Sequence, residues 1–398
     1  MIKRPSPMRL PVLVPFVVFL AACGGGGGDD VIPPFWLENG IALADLNNDG
    51  LSDLVVARTY ISGPPPHPGS VDVYLQTPSH TFGVPASYPV GSDPWNLAVG
   101  DVNGDGKPDI VVANSNSGDV SILLQNANEA GSFLPAQPVA TGGTPYAVAI
   151  SDFNGDDYAD LAVALQNTGG GAVVLLQNPA APLSFQSPIT LLNGTGATSV
   201  AAGDLNHDER PDIAVNGSTA VVFFQEATGG TFGPAVPLAA GIRPTAVAIE
   251  DIDTDGFNDL VLSNGGSSTD GSGASVSVLK QNSASPGSFF PAENHPVVDG
   301  AQHLAVGQLL GTSAPDLAVI SLVYASMEEP STVSILENQA AAGFTVRQIL
   351  AGPFVGNFIA IGDINADGLP DIVVNDGPQV YLQNSSAPGS FNPGIPLP

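Results

Sequence analysis

The chain is poor in positive charge. Lys and Arg total 9 of 398 residues against 38 Asp and Glu, a formal net charge of −29. Binding to a phosphate backbone draws on Lys and Arg, so this balance argues against a nucleic-acid partner. Cysteine is nearly absent. The single Cys23 excludes an intramolecular disulfide, so stability must come from an apolar core and from bound ions. Histidine is scarce and scattered (His67, His80, His207, His295, His303), and neither an H-E-x-x-H nor a G-x-S-x-G pattern occurs. The apolar stretch Pro11 to Leu20 is too short for a comfortable transmembrane helix and is interrupted by Pro15. Charged residues are only 12% of the chain and apolar ones 43%. Disordered acidic chains lack apolar periodicity, whereas here the apolar residues fall in short, regular, β-branched runs.

Glycine (47) and proline (37) are abundant, as expected where many short strands are joined by turns. The most informative stretch is Asp101 to Asp109, DVNGDGKPD. Oxygen-bearing side chains stand at its first, third, fifth and ninth positions, and Gly106 sits where the chain must turn sharply. Apolar runs flank it, Leu97 to Val99 before and Ile110 to Val112 after. Alternating oxygen donors on a tight loop suit a hard cation such as calcium. The pattern is complete in six places: Asp45, Asn47, Asp49 and Asp53; Asp101, Asn103, Asp105 and Asp109; Asp152, Asn154, Asp156 and Asp160; Asp204, Asn206, Asp208 and Asp212; Asp251, Asp253, Asp255 and Asp259; Asp363, Asn365, Asp367 and Asp371. A further copy, sixth in chain order, has decayed to Gln308, Leu310 and Thr312 with Asp316 kept, and is expected to bind no ion. An EF-hand would need a bidentate Glu at loop position twelve and flanking helices. Position twelve here is apolar, as in Val56 and Val112, and the flanks read as strands. Magnesium prefers fewer protein ligands. The expectation is therefore up to six calcium ions, the alternative being that some loops are solvated acidic turns without metal.

The loops start at 45, 101, 152, 204, 251, 308 and 363, a mean period of 53 residues. An apolar strand A enters each loop, as in Tyr146 to Ile150, and strand B leaves it, as in Leu161 to Ala164. Strand C ends in an amide or acid: Gln76, Gln125, Gln177, Gln225, Gln281, Glu337 and Gln383. Strand D opens with a Phe: Phe82, Phe133, Phe185, Phe232, Phe289, Phe344 and Phe391. Four strands per unit, repeated seven times, predict an all-β fold, a seven-bladed β-propeller of four-stranded blades. A single blade cannot bury both faces, so neighbours must stack, with the recurrent Phe as a wedge between them. No strand is obviously left over to interlock the two ends of the ring.

These repeats resemble FG-GAP and VCBS repeats, the units of integrin-type propellers; Phe82-Gly83 and Phe232-Gly233 echo the Phe-Gly element. The resemblance covers residues 36–398. It implies calcium loops between strands A and B, all on one face, and a ligand site on the opposite face. Two loops depart from it, with Asp157 and Glu209 at the glycine position.

The N-terminus reads as an address. Lys3, Arg4 and Arg9 precede the apolar stretch, and Leu20-Ala21-Ala22-Cys23 follows it. This resembles the lipobox of bacterial lipoproteins, which implies a signal peptide over 1–22, lipidation of Cys23, and a Gly-rich tether over 23–35 ahead of the propeller. The alternative is a plain secretory signal with an incidental Cys. Gly24 rather than Asp after the Cys fits sorting to the outer membrane or cell surface by the same resemblance. Removal of the signal leaves six bases against 38 acids, a formal charge of −32.

On the face opposite the acidic loops, Asn39, Trp95, Tyr146, Thr198, Thr245, Gln302 and Asn357 are expected to ring the channel mouth. Such a ring suits a sugar or a peptide; the alternative, which weighs slightly more, is that Trp95 and Tyr146 plug the channel top. Long B–C loops at Arg58 to Gly69, Gly265 to Ala274 and Tyr324 to Ser331 offer Arg58, Tyr60, His67, Tyr324, Glu328 and Glu329 for contacts. The function expected is a calcium-binding, lipid-anchored module for adhesion or ligand binding, with an unknown protein or glycan partner. The alternatives are a carbohydrate-active enzyme, a lyase or hydrolase, on the same scaffold, and a structural envelope subunit.

Overall fold

The computed structural model describes residues 35–397 apart from 63–64, 167–170, 195, 268–270, 299, 323–330, 352–355 and 376–377. The leader, Cys23, most of the tether, and Tyr324, Glu328 and Glu329 lie outside the described residues. Seven antiparallel sheets, each of four consecutive strands, stand in a ring. In the first blade strands A to D are Phe35–Ala44, Asp53–Ile61, Gly69–Tyr74 and Ala86–Val90. The innermost strands A of neighbouring blades touch all the way round, the first against the last. One 3-10 turn, Ala340–Ala342, is the only helical element among the described residues.

Strand B explains why the apolar runs are continuous rather than alternating. In Asp109–Asn114, Asp259–Asn264 and Asp316–Ser321 every residue is buried. Blades on either side cover both of its faces, so both sets of side chains must be apolar. Strand D lies at the outer edge and is largely exposed, as in Gln137–Ala140.

The core is seven clusters, each shared by two neighbouring blades. The recurrent Phe sits where the wedge reading puts it. Phe133 of blade 2 packs with Leu46, Val55 and Val73 of blade 1, and Phe391 of blade 7 with Ile320 and Ile335 of blade 6. In six blades, however, the Phe stands ahead of strand D, paired with the strand-C glutamine in an isolated bridge. Only Phe344 opens its strand D, Phe344–Ala351.

The ring closes without exchanging a strand. Ile41, Leu54, Val56 and Tyr74 of blade 1 form one cluster with Phe358, Ile364, Val373 and Val380 of blade 7. Glycine at the end of strand A of blade 7 permits the approach: a Cβ on Gly362 would come within 2.9 Å of Leu43 Cδ1 in blade 1.

Candidate metal centres and the opposite rim

Each acidic loop joins strands A and B, so the propeller topology gathers all of them on one face. The loop is built by side chains accepting from its own backbone. In the second loop Asp101 accepts the N–H of Asp105 at 3.1 Å and that of Gly106 at 2.7 Å. Asn103 Oδ1 accepts Asp105 N–H at 2.9 Å, and Asp105 Oδ1 accepts Lys107 N–H at 3.0 Å. The first and seventh loops repeat all four bonds. The third and fourth keep the turn despite losing glycine. Asp157 and Glu209 adopt φ of 68° and 66°, and each donates its N–H to the first Asp at 2.8 Å. That left-handed backbone carries a steric cost for any side chain with a Cβ.

The ninth-position Asp has a second role. Asp109 is fully buried; its Oδ2 accepts Val102 N–H at 3.0 Å and its Oδ1 accepts Gln125 N–H at 2.8 Å. It thereby ties the loop to the end of strand C. Burial pushes the Asp109 and Asp371 carboxyls up to about 6 and those of Asp160, Asp212 and Asp259 to about 7. The backbone N–H bonds oppose that push and the neighbouring loop carboxylates add to it. Asp316 makes a similar pair of bonds, to Leu310 N–H at 2.8 Å, one residue further along the loop than in the other six, and to Asn338 N–H at 2.9 Å. The rest of the sixth loop has exchanged oxygen donors for packing. Leu310 presses on Gly389 of blade 7, where an added Cβ would lie 2.4 Å from its Cδ2, and Gln308 bonds Ser313 O at 3.3 Å.

Two observations test whether the residues fit a hard cation. In the fifth loop, oxygens of Asp251, Asp253 and Asp259 all lie within 4.8 Å of one another. At the third position, Asn154 Oδ1, Asn206 Oδ1 and Asp253 Oδ1 are buried acceptors with no hydrogen-bond donor. Converging carboxylates with an unsatisfied third-position oxygen form an oxygen-only donor set, which fits calcium. Lys280 Nζ, 3.6 Å from Asp253, partly offsets the charge in the fifth loop.

One set of structural residues had a visible signal whose role the sequence did not disclose. Except in blade 5, where Gln281 donates to Asn258 O of its own loop at 2.8 Å, the recurrent amide ending strand C reaches back to the loop of the preceding blade. Gln125 donates to Leu46 O at 2.6 Å, Gln177 to Val102 O at 3.0 Å and Gln383 to Leu309 O at 2.9 Å. Gln225 bonds Phe153 O, and Gln76 bonds Ile364 O across the ring closure. In blade 6 the residue in this place is Asn338, not Glu337: Asn338 donates to Ile252 O at 2.9 Å. The strand pairing fixes this, because Leu317 faces Leu336, which sets Asn338 at the glutamine position and turns Glu337 toward Arg347 at 3.8 Å.

At the opposite rim, Trp95 stacks on Tyr146 with centroids 4.6 Å apart and meets Phe358 edge-on at 6.3 Å. His303 lies 5.0 Å from the same Phe358. Blades 2, 3, 6 and 7 thus meet in one aromatic group. Burial pushes the Tyr146 hydroxyl up to about 12 and His303 down to about 4. The polar members of the expected ring join blades: Asn39 donates to Pro94 O at 2.6 Å and Thr245 to Ala301 O at 3.1 Å. Arg58 is held within blade 1, 3.0 Å from Glu38 and 2.6 Å from Asp72, under the Trp36 ring at 5.3 Å. Tyr60 stacks on Trp36 at 4.8 Å, and His67 bonds Asp93 of blade 2 at 2.8 Å. His207, inside the fourth loop, stacks on Phe257 of the fifth at 4.4 Å.

FG-GAP-like repeats match residues 45–112, 101–163 and 152–215, so the chain carries three matched copies of this repeat. Among curated proteins it is similar to human integrin alpha-7, 33% identical over 136 residues, 31% of this chain and 12% of that protein. It is also similar to integrin alpha pat-2 of Caenorhabditis briggsae, 26% identical over 202 residues, 43% of this chain and 15% of that protein. The chain thus matches only a small fraction of these relatives' length. A solved structure of a proposed 6-phosphogluconolactonase from Bacteroides fragilis shares the fold at 14% identity, covering 79% of this chain and 84% of its own, with a TM-score of 0.55.

Proposed function

We propose that this seven-bladed propeller of FG-GAP-like repeats is a calcium-stabilised module for adhesion or ligand binding, held at the outside of a bacterial envelope by a lipid on Cys23. The observation that carries the metal reading is the fifth loop, where three carboxylates converge to within 4.8 Å. Such a group repels itself without a cation between its members. In each complete loop the residues that would hold the ion are the first, third, fifth and ninth, as in Asp251, Asp253, Asp255 and Asp259. A bound calcium supplies charge neutralisation and pins the A–B turn; the chain's own N–H bonds shape the loop around it. In the sixth blade the contact of Leu310 with Gly389 takes that part.

The partner reading rests on the integrin-type likeness and on the face the loops leave free. The aromatic group of Trp95, Tyr146 and Phe358 supports the plug reading at the axis, which moves partner contact outward to the rim, where Trp36 stands on strand A of blade 1 and Arg58 and Tyr60 on strand B, which runs to Ile61, rather than on the B–C loop expected for them. The enzymatic alternative would use the same face.

The test is a binding screen of the mature protein against glycans and envelope proteins, with and without a calcium chelator. A partner bound in calcium and lost on chelation supports the proposal. Release of new sugar ends from a polysaccharide would favour the enzyme. No partner, together with thermal stability unchanged by chelation, would sink both the binding and the calcium readings.

A further inference from the structure

On the acidic-loop face a cavity of about 410 Å³ opens between the third and fourth loops. Asp152 and Asn154 line it from the third loop, Glu209 and Arg210 from the fourth, and Gln225 and Gly229 from blade 4. The buried group in its wall is the strand-C glutamine of blade 4, Gln225. In blades 3 and 7 the strand-C glutamine stands eight residues before the Phe, and its Oε1 accepts an N–H from the turn between them. Gln177 accepts from Leu183 at 2.6 Å, and Gln383 from Gly389 at 2.9 Å. In blade 4 that turn is one residue shorter, Gln225 to Phe232. Gly230 N–H turns instead to Phe153 O at 2.8 Å. Gln225, only 4% exposed, has an amide oxygen that no donor reaches, as do Gln76 and, in a turn of full length, Gln281; of the three, Gln225 is the one that lines the cavity.

The chemistry of the wall selects a class of ligand. Gln225 Oε1 is an acceptor without a donor, and Arg210, whose Nη2 bonds Asp208, keeps a buried Nε donor without an acceptor. Glu209, which occupies a position held by glycine in the first, second, fifth and seventh loops, is exposed and adds a charged acceptor. An anion would face Asp152, Glu209 and a chain of net charge −29. An ammonium only donates, so it could satisfy the acceptors but not Arg210 Nε. Hydroxyl groups both donate and accept, and satisfy acceptors and guanidinium together. The volume falls within the range of small-ligand sites. We propose that this cavity binds one residue of a neutral saccharide, whose hydroxyls donate to Gln225 Oε1 and Glu209 and accept from Arg210. This site is separate from the rim proposed above and lies on the face assigned so far only to metal.

The experiment is saturation-transfer NMR on the mature protein with methyl glycosides of glucose, mannose and galactose, and with glucuronate, in calcium. Two variants leave the fold intact. Ala227→Trp fills the cavity from an exposed turn position. Glu209→Gly restores the glycine of the sister loops at a φ of 66° and should melt no lower than wild type. The expected result is transfer to at least one neutral glycoside, weakened at least tenfold in both variants and unchanged in Trp95→Ala. No transfer to any glycoside, or preference for glucuronate, overturns the site. Binding that survives both cavity variants also overturns it, while leaving a glycan partner elsewhere on the protein.

Discussion

Asp316 separates two roles that its six counterparts combine. It still accepts two backbone N–H groups, from Asn338 as its counterparts do and from Leu310, one residue beyond their partner, in a loop that has lost its other oxygen donors. Asp316→Ala should therefore destabilise the protein by roughly 1–3 kcal/mol for each buried N–H left without an acceptor. Urea unfolding should show the same loss in calcium and in chelator. Asp259→Ala, by contrast, should show a larger loss in calcium than in chelator, because it removes a metal donor as well. A second prediction concerns His303. Burial lowers its folded pKa to about 4, below its usual value of 6.5, so the unfolded chain takes up a proton that the folded one refuses. The stability this contributes is present above 6.5 and is lost as pH falls through 6.5 toward 4. His303→Leu abolishes that loss, so its stability relative to wild type should rise across this window; a pH-independent difference would remove His303 from the account.

At the scale of the element, the A–B loops were the most legible feature in the sequence because their ligands are close in the chain and one spacing serves all six. The strand-C amide was legible as a repeat but not as a bond, since its partner lies far along the chain, 79 residues away for Gln125 and Leu46. Asn338 was hidden because an acid, Glu337, stands beside it; the pairing of Leu317 with Leu336, and not residue type, decides between them. The cavity beside Gln225 was illegible because its walls come from two blades, Asp152 and Asn154 on one side and Glu209, Arg210 and Gln225 on the other. Two predictions follow at this scale. Phe133, 7% exposed between blades 1 and 2, should cost about 3–5 kcal/mol on truncation to Ala. Phe82, less deeply buried, should cost less, as equilibrium unfolding of the two variants would show. Gln76→Ala should speed amide exchange in Ile359–Gly362, strand A of blade 7, more than in Pro145–Ser151, strand A of blade 3, because Gln76 bonds Ile364 across the closure. Equal effects on both strands would contradict a role in closing the ring.

For the whole molecule, blade number and all-β class followed from the period alone, while closure did not. No leftover strand announces it, and the ring joins instead by a cluster of side chains and by amide bonds, among them Asn375 to Glu38 O at 2.9 Å. Because the core clusters each join two neighbouring blades and the last blade must meet the first, ions that pin individual loops should act on the ring as a unit. The account rests on the acidic loops holding calcium, and native mass spectrometry paired with thermal melting measures this directly. With free calcium at about 100 times the dissociation constant, each site would add about 2.7 kcal/mol. The mature protein should then carry several calcium ions, six at most, and its Tm should fall by more than about 10 °C on chelation. A protein that retains no calcium at millimolar concentration, and melts at the same temperature with and without chelator, would contradict it.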